Sequence, residues 1–180
     1  MSDIPSIDLP VRTLSPKSIL IYSCEEVIGD GILKLSFAQQ VRQRFPDAKI
    51  TWVAGTGKTV YASILKPIAM KFIDEVIELA GIGDKTHQLF TKWSPLPGRS
   101  FDLIIDTQRL VARTMIVKRI PHKIFVSGTA DFFFSDVKPP KGFESDTSFV
   151  GGLIDMLDLI SPRPADDGTE VFDPSKEHRA

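Results

Sequence analysis

The sequence predicts an α/β fold, a Rossmann-like doubly wound parallel sheet with helices on both faces. Short apolar runs alternate with amphipathic segments along the chain, which is typical of strand–helix–strand units. The runs are apolar on both sides, as in strands buried under two layers of helices. With 180 residues, of which 42% are hydrophobic and 25% charged, the chain is long enough for one core.

Each element follows from a local pattern. Strands are predicted at residues 18–23, 50–54, 72–79, 101–106 and 123–126, where apolar residues cluster. Helices are predicted at 31–45, 59–65, 110–120 and 147–160, where apolar residues recur at helical spacing. Pro46 and Pro67 are expected to stop the first two helices, because proline lacks the backbone donor that a helix interior needs.

The ends of the chain differ from its middle. Residues 1–16 contain three prolines and no periodicity, so we expect a flexible tail. Residues 17–162 form the predicted Rossmann-like domain. Residues 163–180 turn polar again and read as the start of an interdomain linker, which suggests that the chain was cut there.

Charge and cysteine content exclude several classes of protein. The 22 basic and 23 acidic residues nearly balance, so no nucleic-acid partner is expected. No apolar run approaches the roughly 20 residues of a membrane span. A single cysteine, Cys24, excludes a disulfide framework and is typical of a cytoplasmic protein.

Two glycine-containing motifs do not match nucleotide-binding patterns. Residues 55–59, GTGKT, lack the first glycine of a P-loop, because Trp52 occupies that position. The Gly29-Asp30-Gly31 run lacks the third glycine of a dinucleotide fingerprint, where Lys34 stands instead. We therefore expect neither an NTPase nor a nicotinamide-dependent enzyme.

Ligands of such sheets bind beyond the carboxyl ends of the strands, which selects the loop at 23–31. Asp30 lies just before the predicted first helix, so it is either an N-cap or a general base that takes a proton from an acceptor hydroxyl. Gly29 and Gly31 would let a substrate approach the backbone. Glu25 and Glu26 are predicted to be solvated loop carboxylates.

The second selected loop follows the fourth strand. Asp106, Thr107 and Gln108 are candidate substrate contacts, although Asp106 is equally well explained as a cap of the next helix. Arg109 and Arg113, predicted to lie one helical turn apart, are candidates for binding an anionic acceptor, with a solvated helix face as the alternative. Lys34 and Lys123 are weaker candidates of the same kind. The aromatic stretch 131–136 either contacts a lipid-linked acceptor or packs internally.

Several motifs together resemble those of glycosyltransferase family 9, the ADP-heptose:lipopolysaccharide heptosyltransferases. The first strand is followed by Gly29-Asp30, and the first helix ends in the run RQRFPDA at 42–48, followed by Ile50 and Val53. Further matches are IDEVI at 73–77, FDLIIDTQ at 101–108 and IPHKI at 120–124. Their order and spacing cover residues 18 to about 160.

The resemblance implies the N-terminal, acceptor-binding half of a two-domain GT-B enzyme of lipopolysaccharide core assembly. It implies transfer of heptose from ADP-heptose with inversion and without a metal, and it makes Asp30 the base. The expected partner is a lipid-linked or oligosaccharide acceptor, and membrane contact would be at most peripheral, at the inner membrane face.

The resemblance also implies that the donor site lies in a C-terminal domain beyond Ala180. No cofactor is expected in the present chain, and residues 1–180 alone should not transfer sugar. The alternative is a stand-alone Rossmann-like saccharide-binding module without catalysis.

Overall fold

Five parallel strands form one sheet in the order β3-β2-β1-β4-β5 in this computed structural model, which describes residues 14–90 and 95–161. The strands are β1 (Ser18–Ser23), β2 (Lys49–Ala54), β3 (Glu75–Ile77), β4 (Phe101–Asp106) and β5 (His122–Ser127). In register, Ile19 of β1 lies between Ile50 of β2 and Leu103 of β4. The sheet order and parallel pairing confirm the predicted Rossmann-like class.

Among the described residues, three helices connect the strands and a fourth follows β5: α1 (Ile28–Arg44), α2 (Lys66–Ala69), α3 (Val111–Val117) and α4 (Phe149–Asp158). Two short 3-10 turns lie at Val60–Ala62 and Thr86–Leu89. Alternate strand residues face opposite sides, so Ile19 and Ile21 join a core with α1 and α4, whereas Leu20 and Tyr22 join a core with α3. Helices therefore cover both faces of the sheet.

The predicted strands agree with the structure better than the predicted helices do. The 59–65 segment is not a continuous helix, and Pro67 lies in the first turn of α2 instead of ending its predecessor. Proline is well tolerated there because the first N–H groups of a helix have no partner within it. The third strand is shorter than predicted, three residues instead of eight.

The predicted domain boundaries lie mostly outside the described residues. The tail at 1–16 has only residues 14–16 within the description, and the linker at 163–180 has none.

Candidate active site at the carboxyl edge of the sheet

The two loops selected from the sequence lie at the same edge of the sheet, because β1 and β4 are parallel neighbours. Thr107, directly after β4, holds them together. Its backbone N–H and its hydroxyl both donate to the carbonyl oxygen of Tyr22 in β1, at 3.1 and 2.9 Å. The ends of β1 and β4 thus lie side by side at this edge.

Asp30 lies in the first turn of α1 and is exposed to solvent. The expectation that it is an N-cap is wrong: α1 begins three residues earlier than predicted, and Val27 occupies the N-cap position without a side-chain bond. Within the described part of the chain, no hydrogen bond or ion pair engages the Asp30 carboxylate. The positive end of the α1 dipole favours a negative charge at this position.

The glycines on either side of Asp30 have different environments. A Cβ on Gly29 would meet no atom within 4 Å, so this side of the turn is open to a ligand. A Cβ on Gly31 would lie 2.3 Å from Cγ2 of Val60. Gly31 is therefore required for packing against the 3-10 turn after β2 and does not face the open edge.

Lys34 and Glu26 are buried. The prediction of solvated carboxylates at 25 and 26 is therefore wrong for Glu26, whereas Glu25 is exposed as expected. The ammonium group of Lys34 lies 3.4 Å from Oε1 of Glu26 and donates to Oγ of Ser23 at 2.7 Å. Because Lys34 makes these internal contacts, its ammonium group does not reach the open edge of the sheet.

Asp106, at the end of β4, is completely buried in a network of hydroxyl groups. Its carboxylate accepts bonds from the Thr114 hydroxyl at 2.6 Å, the Ser127 hydroxyl at 3.0 Å and the backbone N–H of Gln108 at 2.9 Å. Burial raises the pKa of Asp106 to about 6, although the three hydrogen bonds lower it. The expectation that Asp106 caps the next helix is wrong, because Leu110 occupies the N-cap of α3.

Arg109 and Arg113 diverge, contrary to the expectation that they lie one helical turn apart. Arg109 precedes α3 and points towards α4, where its Nη2 would lie 3.0 Å from a Cβ on Gly152. Arg113 lies on the other side of β4, beside Gly83, with its Nη1 3.5 Å from Oε1 of Gln108. Only Arg109 faces the cavity described next.

A cavity of about 360 Å³ lies between the carboxyl ends of β4 and β5 and the start of α4. This volume falls in the range of about 300–1,000 Å³ typical of small-molecule sites. Phe132, Leu153 and Met156 supply an apolar wall. The polar lining consists of Asp106, Thr107, Gln108, Arg109, Asp131, Ser145, Asp146 and Thr147. Of the residues predicted from the sequence to bind substrate, Asp106 to Arg109 line the cavity. The others do not, namely Gly29, Gly31, Lys34 and Arg113.

One wall of the cavity has an unusual backbone conformation. Ala130, Asp131 and Phe132 follow β5 with φ angles of 51°, 54° and 59°. Residues other than glycine rarely adopt this left-handed conformation, and consecutive ones are rarer still. Lys138 stabilises the turn by donating to the carbonyl oxygens of Phe132 and Phe133. Strained segments of this kind cluster at ligand-binding sites.

Burial differs between the side chains of the aromatic stretch at 131–136. Phe132 is buried and packs edge-on against Phe143, with ring centroids 6.0 Å apart. Phe133 is 73% exposed. Internal packing therefore explains Phe132, whereas Phe133 is available for an external contact.

Lys123 is unsuitable as a ligand contact at this edge. It lies near the start of β5, where the amino ends of the strands lie, and pairs with Asp102 at 2.8 Å. In the GTGKT run, Lys58 is exposed, and a 3-10 turn of three residues follows instead of the long helix of a P-loop.

Among residues 14–90 and 95–161, His, Cys, Asp and Glu side chains do not gather in groups of three that would hold a metal ion. In the same described ranges, no helix has the length and apolar character needed to cross a bilayer.

Part of the cavity wall had no signal in the sequence. Ser145, Asp146 and Thr147 lie in the connection between β5 and α4, where no periodic pattern marks them, whereas Asp131 and Phe132 fall within the aromatic stretch at 131–136. The available signal was the Gly151-Gly152 pair, because Gly152 leaves room at the cavity for the Arg109 guanidinium.

Solved structures that are similar to this chain include glycosyltransferases. The chain is similar to the glycosyl transferase family 9 structure from Veillonella parvula, with a TM-score of 0.56 and 17% identity over 88% of this chain and 46% of that one. It is also similar to E. coli heptosyltransferase WaaC with ADP, with a TM-score of 0.54 and 20% identity over 78% of this chain and 46% of that one. WaaC with ADP-2-deoxy-2-fluoro heptose gives a TM-score of 0.54 and 17% identity over 89% and 53%.

The chain thus has the fold of about half of these family 9 structures, which agrees with the resemblance noted in the sequence motifs. It spans about half the length of the proteins it matches. No protein-family model matches the chain, and no curated protein sequence matches it.

Proposed function

We propose that this chain is the acceptor-binding half of a heptosyltransferase-like glycosyltransferase. The enzyme would transfer heptose from ADP-heptose to an acceptor of the lipopolysaccharide core by an inverting, metal-independent displacement. The observation that carries the proposal is the position of Asp30, an exposed carboxylate at the ligand-binding edge of a family 9-like fold that has no partner among the described residues.

In the proposed reaction, the Asp30 carboxylate accepts the proton of an acceptor hydroxyl group. The hydroxyl oxygen then attacks the anomeric carbon of the heptose and forms the new glycosidic bond. The bond between that carbon and the ADP oxygen breaks, and ADP leaves with the electron pair. Attack opposite the leaving group inverts the configuration at the anomeric carbon, and Asp30 acts as a general base.

The cavity beside Arg109 is the proposed site for part of the acceptor. Its polar rim offers Thr107, Gln108 and Ser145 for sugar hydroxyl groups, and the apolar wall suits the face of a sugar ring. Arg109 supplies a positive charge for a phosphate or carboxylate group. A lipid-linked acceptor would bring the protein to the cytoplasmic face of the inner membrane, with exposed Phe133 as a peripheral contact.

The donor is proposed to bind to a second half outside these 180 residues. The similarity to about half of each family 9 structure supports this arrangement. Residues 1–180 are accordingly expected to bind acceptor without transferring sugar.

The test uses the product of the complete natural reading frame. This protein is incubated with ADP-heptose and a core oligosaccharide acceptor, and the mass increase of the acceptor is measured. We expect transfer by the wild type and a loss of about 10²–10⁴-fold in kcat for Asp30→Asn. Asp47→Asn is the matched control, because Asp47 is an exposed aspartate in the α1–β2 connection, at the opposite edge of the sheet.

Two results would contradict the proposal. Full activity of Asp30→Asn would show that Asp30 is not the general base. Acceptor binding without transfer by the complete protein would instead identify a saccharide-binding module.

A further inference from the structure

A buried polar cluster lies beneath the first turn of α1. It consists of Ser23, Glu26, Lys34 and Trp52, and we call it the Glu26 cluster. Oε1 of Glu26 lies 3.4 Å from Nζ of Lys34 and accepts a bond from Nε1 of Trp52 at 3.1 Å. The side chains of Lys34 and Glu26 are 5% and 0% exposed. The cluster joins the end of β1, the middle of β2 and the first two turns of α1.

The two charged residues of the Glu26 cluster lie on either side of Asp30 in the sequence. Glu26 directly precedes the N-cap residue, Val27, and Lys34 lies one helical turn after Asp30. Between them, the Tyr61 hydroxyl donates to the carbonyl oxygen of Gly31 at 2.6 Å. The first turn of α1 is therefore anchored before and after Asp30. The Asp30 side chain itself is exposed and has no hydrogen-bond or ion-pair partner in the part of the chain that the structure describes.

The usual device for fixing a helix start is missing here. Val27 has no side-chain acceptor for the first N–H groups of α1. A capping side chain would hold the first turn through its own bond, so in this helix the position of the first turn depends on the residues that tie it to the sheet. The buried pair of Glu26 and Lys34 contributes the charged contacts.

Stability alone does not explain the buried ion pair of Glu26 and Lys34. Within the described residues, Oε2 of Glu26 is buried and has no hydrogen-bond partner. A buried ion pair gains little net stability over apolar side chains of similar size, and an unsatisfied carboxylate oxygen reduces that gain further. The observed arrangement is thus better explained by the geometry that it imposes than by the energy that it contributes.

We propose that Glu26 and Lys34 are positioning residues that fix the location of the Asp30 carboxylate at the carboxyl edge of the sheet. The role assigned to Asp30 in this inference rests on the proposed function. Lys34 then acts from within the protein and not as a contact for the acceptor.

The first test is structural and uses the 180-residue chain. Backbone amide exchange at Gly31, whose N–H donates to the Val27 carbonyl oxygen at 2.9 Å, and the carboxyl carbon resonance of Asp30 are measured by NMR in Lys34→Met and in the charge-neutral double variant Glu26→Gln/Lys34→Met. We expect exchange at Gly31 to become at least about tenfold faster, because local opening of this turn becomes easier. The Asp30 resonance should shift in both variants.

Arg44→Met is the matched control. Arg44 is the last residue of α1, has a fully buried side chain and pairs with Asp158 at 2.6 Å. Its loss removes a buried cation from the same helix at the opposite end. We expect it to leave the exchange rate at Gly31 and the Asp30 resonance unchanged.

The second test measures transfer kinetics in the complete protein. The double variant avoids the unpaired buried charge of Lys34→Met, so it should regain stability relative to the single variant while kcat stays reduced. KM for the acceptor should change little, because neither residue lines the cavity. A role confined to stability would predict that kcat recovers together with stability.

The results separate this inference from the proposed function. Unchanged exchange and an unchanged Asp30 resonance in a folded double variant would overturn the positioning role, whatever the activity. An altered Asp30 environment combined with full activity of Asp30→Asn would overturn the proposed function and, with it, the catalytic purpose of the positioning. Recovery of kcat in the double variant would also overturn the positioning role.

Discussion

The hydroxyl group of Thr114 in α3 donates a 2.6 Å hydrogen bond to Oδ2 of Asp106 at the end of β4. This bond links a helix to the sheet through a carboxylate that has no access to solvent. The same Thr114 oxygen lies 2.8 Å from the Thr129 hydroxyl, so the network extends to the segment after β5. Asp106 thus joins three elements beneath the cavity.

The raised pKa of Asp106 predicts a stability that depends on pH. In the folded protein Asp106 has a pKa of about 6, above its ordinary value of 3.8, so the folded state holds its proton over a range in which the unfolded state has lost it. Stability should therefore fall as the pH rises from about 4 to 6, by about 2–3 kcal/mol relative to Asp106→Asn. Urea unfolding of both proteins at intervals across this range measures the difference.

Thr114→Val provides a second test of the raised pKa of Asp106. Removal of a bond that favours the ionised carboxylate should raise the pKa further and extend the pH range of the effect upward. A stability difference between wild type and Asp106→Asn that does not vary with pH would contradict the assignment.

The divergence of the two arginines predicts unequal effects on acceptor binding. Arg109→Gln should weaken the binding of a phosphorylated core oligosaccharide by about tenfold or more, because a charge-assisted hydrogen bond at the cavity is lost. Arg113→Gln should have little effect, since Arg113 lies outside the cavity lining. Calorimetric titration of the 180-residue chain at low and high salt measures both. Equal losses for the two variants would argue against the cavity as the acceptor site.

Close packing at Gly55 predicts a large effect of one added methyl group. A Cβ at this position would lie 2.4 Å from the Tyr22 hydroxyl oxygen and 2.5 Å from the carbonyl oxygen of Ile82. Gly55→Ala should destabilise the fold by about 1–3 kcal/mol, because the backbone of the neighbouring loop must shift. Urea denaturation monitored by tryptophan fluorescence provides the measurement.

Gly29→Ala is the counterpart of Gly55→Ala. Gly29 lies in α1 with open space around its Cα, and alanine favours the helical conformation. We expect a gain of up to about 1 kcal/mol in the free energy of unfolding. A loss of stability at Gly29, or none at Gly55, would show that the backbone packing at these positions differs from that described.

The 180-residue chain is predicted to lack glycosyl transfer on its own. The proposed base lies in it, whereas the proposed donor site does not. Incubation with ADP-heptose and acceptor, followed by mass spectrometry, should show no product above background. Turnover by this chain would mean that a donor site exists within residues 1–180.

The sheet was predictable from the sequence because its strands are buried on both faces. Runs such as ILIY at 19–22 and LII at 103–105 have no polar face, and they form β1 and β4 with the predicted bounds. The start of α1 was not predictable in the same way. Ile28, Gly29 and Val27 give no capping signal, and the helix begins there because tertiary contacts anchor its first turn.

The candidate site was only partly predictable. Asp30 and the segment from Asp106 to Arg109 follow from the rule that ligands bind at the carboxyl edge of a parallel sheet. Burial of Glu26 could not be inferred, because its partners, Lys34 and Trp52, come from a helix and a strand that meet it only in the folded chain. The β5–α4 wall of the cavity has no periodicity, so its position depends on packing alone.

The sheet order has a consequence for how the chain is made. β1 lies in the centre of the sheet, yet one of its two partners, β4, follows it by more than 80 residues, as shown by the bond between Ser18 and Asp102. During synthesis, one hydrogen-bonding edge of β1 stays unpaired until β4 has left the ribosome. Nascent chains that end before Asp106 would therefore expose an unpaired strand edge, a feature that promotes aggregation.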